Sequence, residues 1–191
     1  MSVGGDQAPP HEASAAPKPG AEHRVLSLSG GGVRGIFQAC FLKHLEADLG
    51  PLGERFDLIA ATSTGAFVGL GIAAGLPASE IVSLYREHAG KIFTHRPAAL
   101  MRKGPRYSAE ALREVLDEHF GELLLRDLPT EVLICASGLD RYQGKTFTRN
   151  DGELSLVDAA LASAAAPTFF APVVPDNSHR GYIDGGLWAN D

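Results

Sequence analysis

Cysteine is scarce in this 191-residue chain: there are two, Cys40 and Cys135, each inside an apolar run. Two such residues exclude a disulfide framework and predict reduced core thiols in a cytoplasmic protein. Basic charge is short as well, since 17 Lys and Arg stand against 23 Asp and Glu, a formal net charge of −6. Without a cluster of Lys or Arg to neutralise phosphates, nucleic acid is excluded as a partner. A long hydrophobic run is also missing. A bilayer span needs about 20 mostly apolar residues, and the most apolar window, Leu58 to Leu76, is broken by Thr62, Ser63, Thr64 and four glycines. That window is expected to be a buried strand and helix. The start carries no charged segment followed by an apolar core, so no signal peptide is expected, and residues 1–22, rich in Pro, Ala, Gly and Ser, read as a disordered tail. The seven histidines show no paired spacing such as H-x-x-x-H, so no metal site or cofactor is implied.

What is there has the make-up of one globular domain, 45% hydrophobic and 21% charged, expected over residues 23–191. Val25 to Ser29 is a short β-type run. Phe37, Cys40, Phe41, His44 and Leu45 then recur at helical spacing until Gly50, and Phe56 to Ala61 is a second strand. This strand-helix-strand unit predicts a parallel sheet flanked by helices, an α/β fold. Gly65 to Ala74 continues as a helix of small residues, and Pro77 opens another with Ile81, Leu84, Tyr85 and His88 on one face. Residues 91–107 read as an exposed basic loop, and Ser108 caps a helix stopped by Gly121. Glu131 to Ser137 and Gln143 to Thr148 are strand candidates. Ser155 and Asp158 have capping-box spacing before an alanine-rich helix that ends near Pro167.

Two stretches carry chemistry. In "AATSTGAF", Ser63 falls between a strand and a helix, with Ala61 two residues before it and Gly65 two after, close to the G-x-S-x-G nucleophile elbow. So tight a turn needs tiny neighbours, and Ala61 replaces the first glycine. The elbow lifts the serine oxygen to a helix N-terminus, where developing negative charge is favoured; the alternative is an ordinary Ser-Thr helix cap. In "SGGGVRG", Gly30, Gly32 and Gly35 match G-x-G-x-x-G after a strand, which makes a nucleotide-binding module a competing reading. Asp57 opens the second strand instead of closing it, so the ribose has no acidic partner. The loop amides are then free for another anion, the oxyanion of acyl transfer, whereas a plain tight turn accounts for one or two glycines better than four. The base for Ser63 has two candidates. One is His179, oriented by Asp140 or Asp158 in a Ser-His-Asp esterase; the other is Asp184 in "YIDGGLW", which follows a short apolar run and can take the serine proton directly.

Three pieces stand in order: S-G-G-G-V-R-G at 29–35, A-T-S-T-G at 61–65 and D-G-G at 184–186, with "SAAAPTFFAPV" at 163–173 before the last. Together they resemble the patatin-like phospholipases, and the likeness runs from Val25 onward. The resemblance implies a three-layer α/β/α sandwich and a Ser-Asp dyad in which Ser63 is the nucleophile and Asp184 the base. It further implies oxyanion-hole amides from Gly31, Gly32 and Val33, supported by Gly30, Arg34 and Gly35, an elbow flanked by Ala61 and Gly65, and a loop formed by Gly185 and Gly186. The implied reaction is hydrolysis of fatty-acyl esters of phospholipids or lysophospholipids without a cofactor, by a cytoplasmic protein peripheral at the membrane. "GPRYS" at 104–108 and "DGGLWAN" at 184–190 are similar to a bacterial branch, some of whose members are anti-phage effectors switched on by cyclic nucleotides, which implies a small-nucleotide activator. Oligomer formation stays open. The family domain continues past the D-G-G loop, so the domain is expected to lack its C-terminal part.

Overall fold

The computed structural model describes residues 22–93, 105–175 and 178–190. Residues 1–21 of the expected tail and 94–104 of the expected basic loop lie outside them. The chain runs β1 (Val25–Leu28), α1 (Gly35–Leu49), β2 (Leu58–Thr62), α2 (Thr64–Ala73), α3 (Ala78–Ile92), α4 (Ala109–Phe120), β3 (Glu131–Gly138), β4 (Gln143–Phe147), α5 (Leu156–Ala164) and β5 (Tyr182–Asp184). Strands β1, β2 and β3 are parallel neighbours, whereas β4 and β5 both pair antiparallel with β3. The expected α/β sandwich, a mostly parallel sheet flanked by helices, is the observed one.

Alternation along the strands sorts the core. Leu28, Ile59, Ala61, Val132, Ile134 and Ala136 share the face that packs the helices, joined by Phe147 of β4. Helix α2 lies directly on it, and nine of its ten residues are buried. Gly69 of α2 faces the methyl of Ala61; a side chain there would come within 3.0 Å of it. The glycine missing from the elbow at position 61 is therefore compensated by one on the helix opposite. The other face of the sheet carries Val25, Ser27, Ala60 and Leu133 and is crossed by the Trp188 ring, which lies flush against Gly144 and donates Nε1–H to the Ala136 carbonyl at 2.8 Å.

The caps read from the sequence hold their helices. Ser108 accepts from Glu110 N–H and Ser155 from Asp158 N–H. Asp158 itself is buried and turned to Arg113 at 2.7 Å, tying α5 to α4. The expected face of α1 is corrected in part: Cys40 and Leu45 pack against the core, whereas Phe37 and Phe41 are 77% and 63% exposed, and the fully buried residues are Gly35, Ala39 and Leu42. Gly35 decides this, because a side chain there would come within 2.0 Å of Thr64 and 2.2 Å of the Tyr85 hydroxyl. The helix docks through its smallest residues and leaves its aromatic stripe outside.

Candidate active site

The meeting of Ser63 and Asp184 follows from strand pairing. β4 occupies one edge of β3 from Ile134 to Gly138, so β5, pairing with Ala136 to Gly138, must lie on the edge used by β2. On that edge Thr62 stands opposite Cys135 and Asp184 opposite Ala136. β2 and β5 run head to head and end one residue apart on the same neighbour, which brings together positions 121 residues apart in sequence.

At that junction the Ser63 hydroxyl donates to Asp184 Oδ2 at 2.6 Å. Ser63 adopts φ 54° and ψ −125°, a conformation rare for a residue with a side chain, as the elbow requires. Gly65 permits the exit into α2, since a Cβ there would lie 2.3 Å from the Leu28 carbonyl oxygen. Asp184 is 6% exposed; its other oxygen accepts from Gly186 N–H at 2.7 Å, and its main-chain carbonyl accepts from the Ser137 hydroxyl. Burial raises its carboxyl above the ordinary aspartate value, and the hydrogen bonds from Ser63 and Gly186 oppose that rise. Gly185 lets the chain turn away beneath the Cys135 carbonyl, 2.3 Å from where a Cβ would stand.

The glycine loop lies over the serine. Gly30 passes so close that a Cβ would come within 2.9 Å of the Ser63 Cβ, and Gly32 takes φ +59°, which favours glycine. Gly31, Gly32, Val33 and Arg34 line one cavity together with Ser63. Within the described residues the N–H groups of Gly31, Gly32 and Val33 make no hydrogen bond, as expected for the first turn of the short helix at Gly32–Arg34. Arg34 Nε donates to the Gly31 carbonyl at 3.4 Å, and the Thr64 hydroxyl donates to the Gly32 carbonyl at 2.9 Å.

The cavity, about 410 Å³, extends from Ser63 between α2, α3, α4 and the end of α5. Its wall is apolar, with Phe67, Leu84, Leu116, Ala160 and Ala164 among its residues. Tyr85 also contributes, and burial drives its phenol far above the ordinary value. The rim is aromatic. Tyr107 stacks on Phe169 at 5.7 Å between ring centres and meets Phe93 edge-on, and its N–H donates to the Phe169 carbonyl.

The competing assignments do not assemble. His179 is exposed and is not among the residues lining the cavity of Ser63. Its two prospective orienters are engaged elsewhere, Asp158 with Arg113 and Asp140 with Arg180. Asp57, the acid nearest a nucleotide-type arrangement, accepts from Arg24 N–H at the far end of β2 from Ser63. Several contributors escaped sequence reasoning. Asn190 accepts from Gly30 N–H at 3.2 Å, Thr62 donates to the Ala189 carbonyl at 2.6 Å, and Ser163 accepts from Ser63 N–H at 2.8 Å. For Asn190 the available signal was its place just after the D-G-G loop; Ser163 is hidden in an alanine run.

Ser63, on a strained elbow, is hydrogen-bonded to the buried carboxyl of Asp184 at one end of an apolar cavity. The family model described as patatin-like phospholipase matches residues 26–191, and the chain belongs to that family. It is 37% identical over 180 residues to a cGAMP-activated phospholipase of Pseudomonas aeruginosa, covering 88% of this chain and 54% of that protein. Patatin-17 of Solanum cardiophyllum is 35% identical over 169 residues, covering 78% and 43%. Among solved structures, VipD from Legionella pneumophila has the same fold with a TM-score of 0.58 at 16% identity, covering 90% of this chain and 47% of that one. The chain spans about half the length of the curated relatives it matches. Among the described residues no helix is long and apolar enough to cross a membrane.

Proposed function

We propose that the chain carries the active site of a lipid acyl hydrolase that cleaves fatty-acyl esters of phospholipids or lysophospholipids. The observation that carries this reading is the 2.6 Å hydrogen bond from Ser63 to Asp184 at one end of an apolar cavity of about 410 Å³. A cavity of that size and lining suits one acyl chain, with the ester carbonyl left at the serine.

In this reading Asp184 takes the Ser63 proton as the serine oxygen bonds to the ester carbonyl carbon. The carbonyl oxygen becomes an oxyanion and receives hydrogen bonds from Gly31, Gly32 and Val33, which need no reorganisation to meet it. The tetrahedral intermediate collapses, the bond to the glycerol oxygen breaks, and Asp184 returns its proton to that leaving alcohol. Water then attacks the acyl-Ser63 ester, gives its proton to Asp184, and the fatty acid leaves as the serine is reprotonated. The raised carboxyl of Asp184 suits both halves, since a base nearer neutrality also gives its proton back. Arg34, bonded to the Gly31 carbonyl, steadies the loop.

Activation by a small cyclic nucleotide belongs to the same reading, because a relative of 37% identity is named a cGAMP-activated phospholipase. So does action at the cytoplasmic membrane surface, where the substrate lies. Fatty-acid release from phospholipid vesicles, with and without cyclic dinucleotide, compares wild type with Ser63→Ala and Asp184→Asn. The reading expects release by wild type alone; equal release by all three sinks it.

A further inference from the structure

Ser163 lies at the last turn of α5 and is 0% exposed. Its hydroxyl does two things at once. It accepts the N–H of Ser63 at 2.8 Å and donates to the Cys135 carbonyl at 2.6 Å, so the elbow is tied through one oxygen to the central strand β3. The Ser63 amide has no helical alternative, because the residue is the N-cap of α2 and its φ of 54° turns the N–H away from the helix. The donation to Cys135 fixes the hydroxyl proton and so leaves a lone pair aimed at the elbow. Two residues on, the Ala165 carbonyl accepts the N–H of Asp184 at 3.0 Å. The end of α5 therefore holds the main-chain amide of the nucleophile and that of the base within three residues.

We propose that Ser163 is a positioning residue that sets the Ser63–Asp184 separation. It touches neither substrate nor the exchanging proton; it acts by holding the Ser63 backbone in its strained turn while Ala165 holds Asp184. Without the hydroxyl, the buried N–H loses its partner, and the elbow relaxes toward an ordinary helix start with the serine oxygen swung off the carboxylate. The cost falls on turnover. The cavity, lined mainly by residues of other helices, keeps its affinity for the acyl chain. This proposal rests on Ser63 being the nucleophile.

The test uses the full chain, a soluble p-nitrophenyl fatty ester and three variants: Ser163→Ala, Ser163→Cys and Thr130→Val. Thr130 is a control for the loss of a buried hydroxyl elsewhere; it is 7% exposed and donates to the Gly53 carbonyl at 2.6 Å. Ser163→Ala is expected to lower kcat about 10²-fold with KM unchanged within about twofold. Hydrogen exchange at the Ser63 amide should quicken by about tenfold or more. Ser163→Cys, whose thiol pairs weakly, should fall between, and it replaces the alanine variant if that one does not fold. Thr130→Val should lower the melting temperature while leaving kcat per folded molecule unchanged. A Ser163 variant with wild-type kcat, or a loss of turnover shared by Thr130→Val, overturns the proposal. If wild type turns nothing over even with cyclic dinucleotide present, the nucleophile reading falls. Exchange at Ser63 then decides the positioning claim separately: unaltered protection in Ser163→Ala overturns it, and quickened exchange upholds it.

Discussion

Two walls meet at Ser63, and they are built on opposite principles. One, made by the ends of β2, β3, β5 and α5, is polar and hydrogen-bonded throughout: Ser163, Ser137, Thr62, Asn190 and Gly186 each hold a main-chain or carboxylate group in place. The other, made by α2, α3 and α4, offers Phe67, Leu84, Val115 and Leu116 and almost no directional contact. Directional bonds fix a position to fractions of an ångström, whereas apolar packing fixes a volume. The polar wall should thus govern how fast the chemistry runs and the apolar wall which chain is accepted. Damage to the first belongs in kcat, damage to the second in KM.

The largest effect should come from Ser63→Ala, which removes the proposed attacking oxygen and lowers kcat on the order of 10⁵-fold or more in an ester-hydrolysis assay. Asp184→Asn comes next, about 10⁴-fold, since the amide keeps the shape but cannot take the proton. That variant also separates activity from stability. Folded Asp184 holds its proton more tightly than the unfolded chain does, so its contribution to stability is present at low pH and is lost as pH rises through the raised value. Above that raised value the fold carries a buried charge, and Asp184→Asn should melt higher than wild type, with the gain shrinking on acidification; a scanning-calorimetry series across pH reads this. The same raised value predicts that the acid limb of the wild-type kcat profile lies above the range of an exposed aspartate. On the apolar wall, Val115→Phe puts a ring into the cavity and should raise KM for long-chain esters about tenfold while leaving acetyl esters within about twofold. A matching drop in kcat for both esters would erase the distinction between the walls. Smallest of all, Phe37→Ser on the outward stripe of α1 should change unfolding stability by less than about 0.5 kcal/mol and leave soluble-ester turnover alone.

The polar wall was half legible in the sequence; of the apolar wall, the helices and a face carrying Leu84 and Tyr85 were legible, but not the space between them. Ser63 and Asp184 stood out because tight turns need glycine, and glycines at 65, 185 and 186 mark them whatever surrounds them. The pairing that joins them was not readable, since nothing in a three-residue strand declares which edge of β3 it will share with β2. Ser163 is one small residue among alanines, and its role exists only once α5 is laid beside the elbow. The packing face of α1 was misread for a related physical reason. Periodicity rewards Phe37 and Phe41, but the helix docks where Gly35 and Ala39 permit closest approach, a preference set by Thr64 and Tyr85 elsewhere in the chain. The cavity is a space between helices and has no sequence signature of its own, although Pro77, Ser108 and Gly121 did mark where two of those helices begin or end.

The proposed reaction requires Ser63 to be a nucleophile made reactive by Asp184. Reaction with a fluorophosphonate probe followed by intact-protein and peptide mass spectrometry tests that directly. A single adduct on Ser63 in wild type, none in Ser63→Ala and much slower labelling in Asp184→Asn is the expected result. An adduct on another residue, or equal labelling of wild type and Asp184→Asn, contradicts it.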